Sequence, residues 1–380
     1  MSIQKKFYLF ISGIFITVQC FAQNPDPIHI LSSVPLTGNV ASFGQQAKWG
    51  TELAISEINA KGGILGRKLV VDYEDNRCNA AEAVKSVSQA LSRSKYVAIL
   101  DGLCSSAVLA IMPLADRAKL PMVVANGTAS SISETSGKGG NQWVFKVNPS
   151  DAGLTDAIVG WLAKENKSSN IALLAEDTDF GRAGQQGLQA ALSKRGEKLA
   201  STDFYQQGTA DFTNVLTKLR AQKPNAIALY SVTVDFQNLL RQYVSSGVRI
   251  PLTGRLVFND VPKEILESGA LEGTITVQPY TVEIDTPANK AFVAAFEKLN
   301  NTKPNLVGFE SYESMLVLAD AIRRANSTDS TAIRNALKTT KFKSILETTI
   351  EFDENHLAHN NAVVMTIQKG KVIVLGFSKS

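Results

Sequence analysis

The sequence has few of the residues that dominate catalytic and metal-binding sites. Its 380 residues include three histidines and three cysteines. It contains no G-x-S-x-G nucleophile elbow, no G-x-x-x-x-G-K-[ST] phosphate loop, and no G-x-G-x-x-G after its first strand-like run. His356 and His359 lie in a polar segment without a nearby thiol, which favours solvent-exposed histidines over zinc ligands. We therefore predict a protein without catalytic activity, cofactor or bound metal.

Charge clusters and long apolar runs are also scarce. The formal net charge is +4, and no run of five or six Lys and Arg residues occurs, so we predict no nucleic-acid partner. Beyond the first 22 residues, no apolar stretch approaches the length of a transmembrane helix. Hydrophobic residues still make up 44% of the chain, which predicts a globular protein with a large core and more than one domain.

The N-terminus has the pattern of a secretory signal peptide. Lys5 and Lys6 precede an apolar run over residues 7–18, and Cys20-Phe21-Ala22 offers small residues at a cleavage site. We predict that residues 1–22 are a signal peptide and that the mature chain lies outside the cytoplasm. An uncleaved anchor is the alternative, and a lipoprotein fits less well because Gln19 precedes Cys20.

The cysteines divide according to this prediction. Cys20 would leave with the signal peptide, and Cys78 and Cys104 would remain as a pair in an oxidising compartment. We predict a disulfide between them, with metal binding by the two thiols as the alternative.

Short β-branched runs alternate with amphipathic segments from residue 28 onward. In the helix predicted over residues 46–61, Ala47, Thr51, Ala54 and Ile58 share one face, whereas Trp49 lies off it. The strands predicted in the first set are 28–34, 68–73 and 96–100, and a second set contains 143–147, 171–175 and 226–230. Such alternation predicts an α/β fold with two Rossmann-like lobes, each built on a parallel sheet.

The C-terminal segment changes character. Helical patterns cover residues 287–299, 307–325 and 331–337, and strand-like runs follow at 348–352, 362–368 and 371–377. Because this segment is too small for a third domain, we predict that it returns to complete both lobes, so that the chain crosses between them several times.

Small polar residues follow several predicted strands. Open α/β sheets bind ligands beyond the carboxyl ends of their strands. The loops are 36–44, 101–106 and 125–130, and Ser105 and Ser106 would open a helix whose free N–H groups attract an anion. An isolated Ser-Ser pair would favour ordinary N-caps, and it is the occurrence of three such loops at one sheet edge that favours a binding site. A small carboxylate is the ligand that such a site would favour.

Several of these segments carry a resemblance to a known family. They read PLTG at 35–38, INAKGGILG at 58–66, YED at 73–75 before Cys78, and LCSS at 103–106. The chain resembles the leucine/isoleucine/valine-type periplasmic binding proteins of ABC uptake systems. The resemblance implies a type I periplasmic-binding fold without catalytic activity, which delivers a small-molecule ligand to an ABC permease complex in the inner membrane. It also implies a periplasmic location and a monomer.

The family architecture implies three hinge crossings, here near residues 147, 277 and 353. Lobe 1 would then comprise residues 27–147 and 278–353, and lobe 2 residues 148–277 and 354–380. The ligand would lie between the lobes, which close on it.

The resemblance also implies which residues bind the ligand. Ser105 matches the serine that holds the ligand carboxylate, and Thr128 matches the threonine that contacts both carboxylate and ammonium. Phe43 would cover the solute, and Phe180 would approach from the second lobe. The predicted ligand-binding residues are Phe43, Ser105, Ser106, Asn126, Gly127, Thr128, Phe180, Tyr230 and Arg255.

One position departs from the family pattern. Amino-acid binders of this family use an acidic residue after the strand near 252, where this chain has Arg255 or Leu256 and no acid before Asp260. A buried ammonium without a counter-charge would cost roughly several kcal/mol, whereas an Arg in the cleft would suit a second carboxylate. We therefore hypothesise that the ligand is an organic acid, with aromatic acids among the candidates. In the alternative, Arg255 points to solvent and another acid serves, namely Asp177, Asp179 or Glu310.

Two functions are compatible with these features. The first is a solute receptor for uptake, which binds a small amino acid or organic carboxylate. The second is a ligand-sensing receptor of the same fold that feeds a signalling partner. The sequence shows neither a helix-turn-helix pattern nor a transmembrane helix beside the fold, which favours the first.

Overall fold

The computed structural model describes residues 25–379, and the predicted signal peptide lies outside these residues. The elements of the first sheet region are β1 (Ile28–Val34), α1 (Ala41–Ala60), β2 (Leu69–Asp75), α2 (Ala80–Arg93), β3 (Ala98–Asp101), α3 (Ser105–Ala118), β4 (Met122–Val124), α4 (Ser130–Glu134) and β5 (Val144–Lys146).

A second sheet region follows. Its elements are α5 (Asp151–Lys164), β6 (Ile171–Glu176), α6 (Asp179–Ser193), β7 (Leu199–Tyr205), α7 (Thr213–Gln222), β8 (Ala226–Tyr230), α8 (Thr233–Ser245), β9 (Leu252–Gly254), α9 (Lys263–Glu267) and β10 (Ile275–Gln278). The C-terminal elements are α10 (Pro287–Asn300), α11 (Leu306–Ala325), α12 (Ser330–Lys338), β11 (Phe342–Lys343), β12 (Thr349–Ile350), β13 (Asn361–Gln368) and β14 (Lys371–Lys379).

Two sheets form the centres of two lobes. The first has the order β2-β1-β3-β4-β5, and all its strand pairs are parallel. The second has the order β14-β13-β10-β9-β8-β6-β7, in which β6 to β10 are parallel and β13 and β14 extend one edge antiparallel. Strands such as β1 and β6 are buried along most of their length because helices cover both faces of the sheet. The predicted α/β fold with two lobes is confirmed.

The chain passes between the two sheets in three segments. It leaves the first sheet after β5, leaves the second after β10, and returns to the second between β12 and β13. Between the second and third passages, α10 and α11 pack on α1 of the first lobe.

This packing explains the side chains that lie off the apolar stripe of α1. The ring of Trp49 meets Phe296 of α10 edge-on, with centroids 6.4 Å apart. Next to it, a Cβ on Gly50 would lie 2.0 Å from the carbonyl oxygen of Gly308, so α1 and α11 approach at a distance that only glycine allows. The helices that cover this face begin more than 220 residues further along the chain, and local periodicity does not predict their position.

Three local predictions need correction. Helix α1 begins at Ala41, five residues before the predicted start, and therefore includes Phe43. Strand β7 and helix α7 were not predicted, because β7 is an edge strand with mixed, half-buried residues. The prediction of solvent-exposed histidines is wrong for His356: its ring is buried and stacks on Phe145 at 4.1 Å, and its Nδ1 lies 3.0 Å from the Val144 oxygen. Burial lowers the pKa of His356.

None of the helices within residues 25–379 combines the length and the hydropathy of a membrane-spanning segment.

Candidate functional site

A cavity that is partly open to solvent, with about 550 Å³ of empty space, lies between the two lobes, beyond the carboxyl ends of strands from both sheets. Of the nine residues predicted to bind ligand, six line it. Its lining residues from the first lobe and the helices packed on it are Phe43, Cys78, Leu103, Cys104, Ser105, Asn126, Thr128, Leu306 and Val307. Those from the second sheet region are Glu176, Phe180, Ser231, Val232, Arg255, Val257 and Gln278.

The first-lobe wall is uncharged. Ser105 is the first residue of α3 and follows Cys104, which is bound to Cys78 in the predicted disulfide. The Ser105 hydroxyl accepts a hydrogen bond from the Ala129 N–H at 3.2 Å, and its own proton remains available to a ligand. A helix N-terminus with a hydroxyl beside it attracts a carboxylate without a basic side chain.

Asn126 is held by hydrogen bonds to groups outside the cavity. Its Nδ2 donates to Glu310 Oε2 at 2.6 Å, and its Oδ1 accepts from Ser311 Oγ at 3.2 Å. Both partners belong to α11, so the amide side chain connects the cavity wall to that helix. Gly127 does not line the cavity: a Cβ there would lie 3.0 Å from Val108 Cγ2, which indicates that this glycine serves close packing.

Phe180 lines the second-lobe wall, and Tyr230 supports it from behind. The two ring centroids are 5.2 Å apart, and Tyr230 is fully buried outside the cavity lining. A Cβ on Gly184 would lie 2.3 Å from the Tyr230 ring, so the ring fits directly against the backbone of α6.

Arg255 is buried and paired. Its Nη1 donates to Asp151 Oδ1 at 3.0 Å, and its Nε donates to Gln278 Oε1 at 3.3 Å. Burial raises the pKa of Asp151, while Arg255 and Lys146 oppose this effect. The guanidinium therefore has a carboxylate partner within the protein, and the alternative in which it points to solvent is wrong. Asp151 was not predicted as this partner, because local sequence patterns carry no information on contacts between residues so far apart in the chain.

The cavity does contain an acid, Glu176, at the end of β6. Its side chain is 3% exposed; Oε1 accepts from Thr178 Oγ1 at 3.0 Å, and Oε2 is buried without a hydrogen-bond partner among residues 25–379. Burial, with a smaller contribution from Asp235, raises its pKa to about 7. The sequence does contain a signal for this residue, because Glu176 directly follows the predicted strand 171–175, where ligand-binding residues are expected.

The three alternative acids lie elsewhere. Asp177 forms an ion pair with Arg182 at 2.6 Å, and Asp177 and Asp179 line a separate surface cleft that also contains Ser106. The Ser106 hydroxyl accepts from the Asp179 N–H at 3.4 Å, which is a contact between lobes rather than part of the cavity. Glu310 lies behind Asn126 and lines a different cavity.

Comparison with known proteins identifies the family. The model described as "Periplasmic binding protein" matches residues 27–371. The chain belongs to this family. A leucine-, isoleucine-, valine-, threonine- and alanine-binding protein of Pseudomonas aeruginosa is 23% identical over 325 residues, 85% of each chain. The relatives are binding proteins, which confirms the prediction of a binding protein rather than an enzyme.

Solved structures of similar proteins share the fold. A leucine-binding protein of Thermotoga maritima superposes with a TM-score of 0.81 at 24% identity, over 92% of this chain and 98% of the other. A solute-binding protein of an ABC transporter from R. palustris, in complex with benzoate, has a TM-score of 0.82 at 17% identity over 92% and 96%. The family therefore includes a relative named for amino acids, and the same fold occurs in a solute-binding protein solved in complex with benzoate.

Proposed function

We propose that this protein is the periplasmic solute receptor of an ABC uptake system and that its ligand is a small amino acid with an apolar side chain. Residues 1–22 would direct export, and the mature chain would deliver its ligand as a monomer to an inner-membrane permease complex. Residues 27–147 with 278–353 would move as one lobe and residues 148–277 with 354–380 as the other. The family model and the amino-acid-binding relative support the receptor function.

The observation that carries the choice of ligand is the buried carboxyl group of Glu176. A zwitterion has a carboxylate for the α3 N-terminus, Ser105 and Thr128, and an ammonium that would give Glu176 Oε2 the partner it lacks. Arg255 is already neutralised by Asp151, so an ionised Glu176 leaves the lining with one excess negative charge. A ligand with an ammonium compensates this charge, whereas a plain carboxylate adds to it.

An aromatic organic acid is the second candidate. Burial raises the pKa of Glu176 to about 7, so that its protonated form is accessible near neutral pH and could donate a hydrogen bond to a carboxylate. Phe43 and Phe180 line the same cavity and offer faces to an aromatic ring. A relative of the same fold binds benzoate.

The pH dependence of binding distinguishes the two ligands. An amino acid requires ionised Glu176, so leucine affinity should rise roughly tenfold per pH unit below pH 7 and level off above it. Benzoate would require protonated Glu176, so its affinity should fall above pH 7. Isothermal titration of the mature chain between pH 5.5 and 8.5, in two buffers of different ionisation enthalpy, measures both affinity and proton exchange. Leucine binding without pH dependence would contradict the role of Glu176, and binding of neither ligand would contradict the proposed ligand classes.

A further inference from the structure

A second cavity, partly open to solvent and with about 620 Å³ of empty space, lies at the hinge. It is separate from the cavity between the two lobes, which is called the solute cavity below. Residues from all three passages between the sheets line it. The first passage contributes Val147, Asn148 and Pro149, the second Pro279, and the third Asn360. Helix α11 forms another wall, and no lining residue is shared with the solute cavity.

Two carboxyl groups, separated by about one turn of α11, line this hinge cavity. Glu310 and Glu313 are each 4% exposed. Glu313 Oε1 accepts a hydrogen bond from Ser344 Oγ, and Glu310 Oε2 accepts one from Asn126. Oε1 of Glu310 is buried and has no hydrogen-bond partner in the described part of the chain. Burial raises the pKa of Glu310 to about 8 and that of Glu313 to about 7.

The nearby cations are engaged elsewhere. Lys146 and Arg255 lie close enough to Glu310 to oppose the rise of its pKa. However, Lys146 Nζ donates to the Thr128 carbonyl at 3.0 Å, and burial lowers its pKa to about 7. Arg255 is paired with Asp151. Within residues 25–379, neither cation forms an ion pair with Glu310 or Glu313.

The remaining walls are mostly apolar. Val147, Pro149, Pro279 and Leu346 line the cavity, and the 56% exposed ring of Phe377 adds an aromatic surface. Apolar walls beside two carboxyl groups that form no ion pair within residues 25–379 match a ligand with an apolar body and one positive charge. A buried carboxylate without a counter-charge is unfavourable and otherwise takes up a proton. An aromatic ring adds a further favourable contact for a cation.

We propose that the hinge cavity is a second binding site, which takes a small organic cation such as a primary ammonium on an aromatic or alkyl group. Its ligand would contact all three passages at once. Binding would therefore stabilise the hinge angle at which the cavity has this shape. The site is independent of the solute cavity, and the proposal does not rest on the identity of the transported solute.

The first test uses the mature wild-type chain with labelled leucine and valine methyl groups. Benzylammonium chloride is titrated at pH 8 and followed by NMR. We expect saturable shifts at Leu346 and Val147, which line the hinge cavity, before any at Leu306 and Val232, which line the solute cavity. Shifts confined to the solute cavity, or no saturable shifts, would overturn the proposal.

The second test compares Glu313→Gln with Glu297→Gln, a change at an exposed position of α10. Benzylammonium affinity should fall at least tenfold in Glu313→Gln and remain unchanged in Glu297→Gln. Benzyl alcohol, the neutral analogue, should bind all forms weakly. Equal affinity for the alcohol and the ammonium, or an unchanged affinity in Glu313→Gln, would refute the site. If Glu313→Gln does not fold, the wild-type titration still decides the question.

Discussion

The two walls of the solute cavity lie at equivalent sheet edges but present different chemistry. The first-lobe wall offers hydroxyl groups and a helix N-terminus, with no ionisable side chain among its lining residues. The second-lobe wall contains Glu176 and Arg255, the latter paired with Asp151. Dipoles on one side and charges on the other suit a ligand whose two ends differ.

The difference has consequences for pH dependence and stability. Hydroxyl groups and main-chain dipoles do not titrate in the physiological range, so the first-lobe wall should behave alike from pH 5 to 9. Glu176, with a pKa raised to about 7, changes its charge within that range. A buried carboxyl group without a partner also lowers stability when it ionises, which a serine does not.

The largest expected effect concerns Arg255. Changing Arg255→Met leaves Asp151 buried without its guanidinium partner, so the free energy of unfolding at pH 7.5 should fall by about 3–5 kcal/mol. Urea unfolding measures this. The deficit should shrink at pH 5, because the raised pKa of Asp151 lets it take up a proton.

The control is the double variant Arg255→Met with Asp151→Asn, which removes both charges and should recover much of the lost stability. If Arg255 mainly held a ligand carboxylate, the single variant would lose affinity for organic acids and keep its stability. That result would restore the hypothesis drawn from the sequence.

Glu176→Gln should have the next largest effect, and its effects on binding and on stability have opposite signs. Because the change removes an acidic side chain from the lining, leucine affinity should fall roughly a hundredfold, or about 3 kcal/mol, at pH 8. Burial raises the pKa of Glu176 in the folded state. The contribution of its protonated carboxyl group to the free energy of unfolding is therefore fully present below about pH 4.5 and is lost as the pH rises through about 7. The ligand-free variant should therefore be more stable than wild type at pH 8 and similar at pH 4.5.

Titration calorimetry and urea unfolding of the same preparations measure the two quantities. Glu283→Gln, a change in the loop after β10 and outside both cavities, serves as the matched control. A variant that binds leucine as tightly as wild type would show that the ammonium lies elsewhere.

The same contrast between walls separates what the sequence could predict from what it could not. The position of Ser105 follows from local signals: a buried strand, a short polar loop and a helix start. The pairing of Arg255 with Asp151 joins residues 104 positions apart, and neither the strand nor the helix pattern specifies which strand tips become neighbours. The packing of α11 on α1 has the same origin, since contacts over such separations are set by topology rather than by local periodicity.

Glu176 is an instructive intermediate case. Ligand-binding residues follow parallel strands in both lobes of such folds, and Glu176 directly follows the strand predicted at 171–175. An acid at a strand end, however, is more often solvated than buried. In the structure, Glu176 pairs with Tyr205 of β7 across the sheet and lines the cavity beside Phe180 and Ser231, and its side chain is buried.

The smallest expected effect concerns the neighbouring serines Ser105 and Ser106, which begin the same helix. Ser105→Ala removes a hydroxyl that lines the cavity and should lower leucine affinity about tenfold. Ser106→Ala removes only the acceptor of a 3.4 Å bond from the Asp179 N–H, so its affinity should change less than about threefold. Calorimetry at pH 6 and at pH 8 should give the same ratio of wild-type to Ser105→Ala affinity, because no group on this wall changes its charge between these pH values. Equal losses in the two variants would mean that the ligand carboxylate does not lie at the start of α3, since a carboxylate there contacts the first serine and not the second.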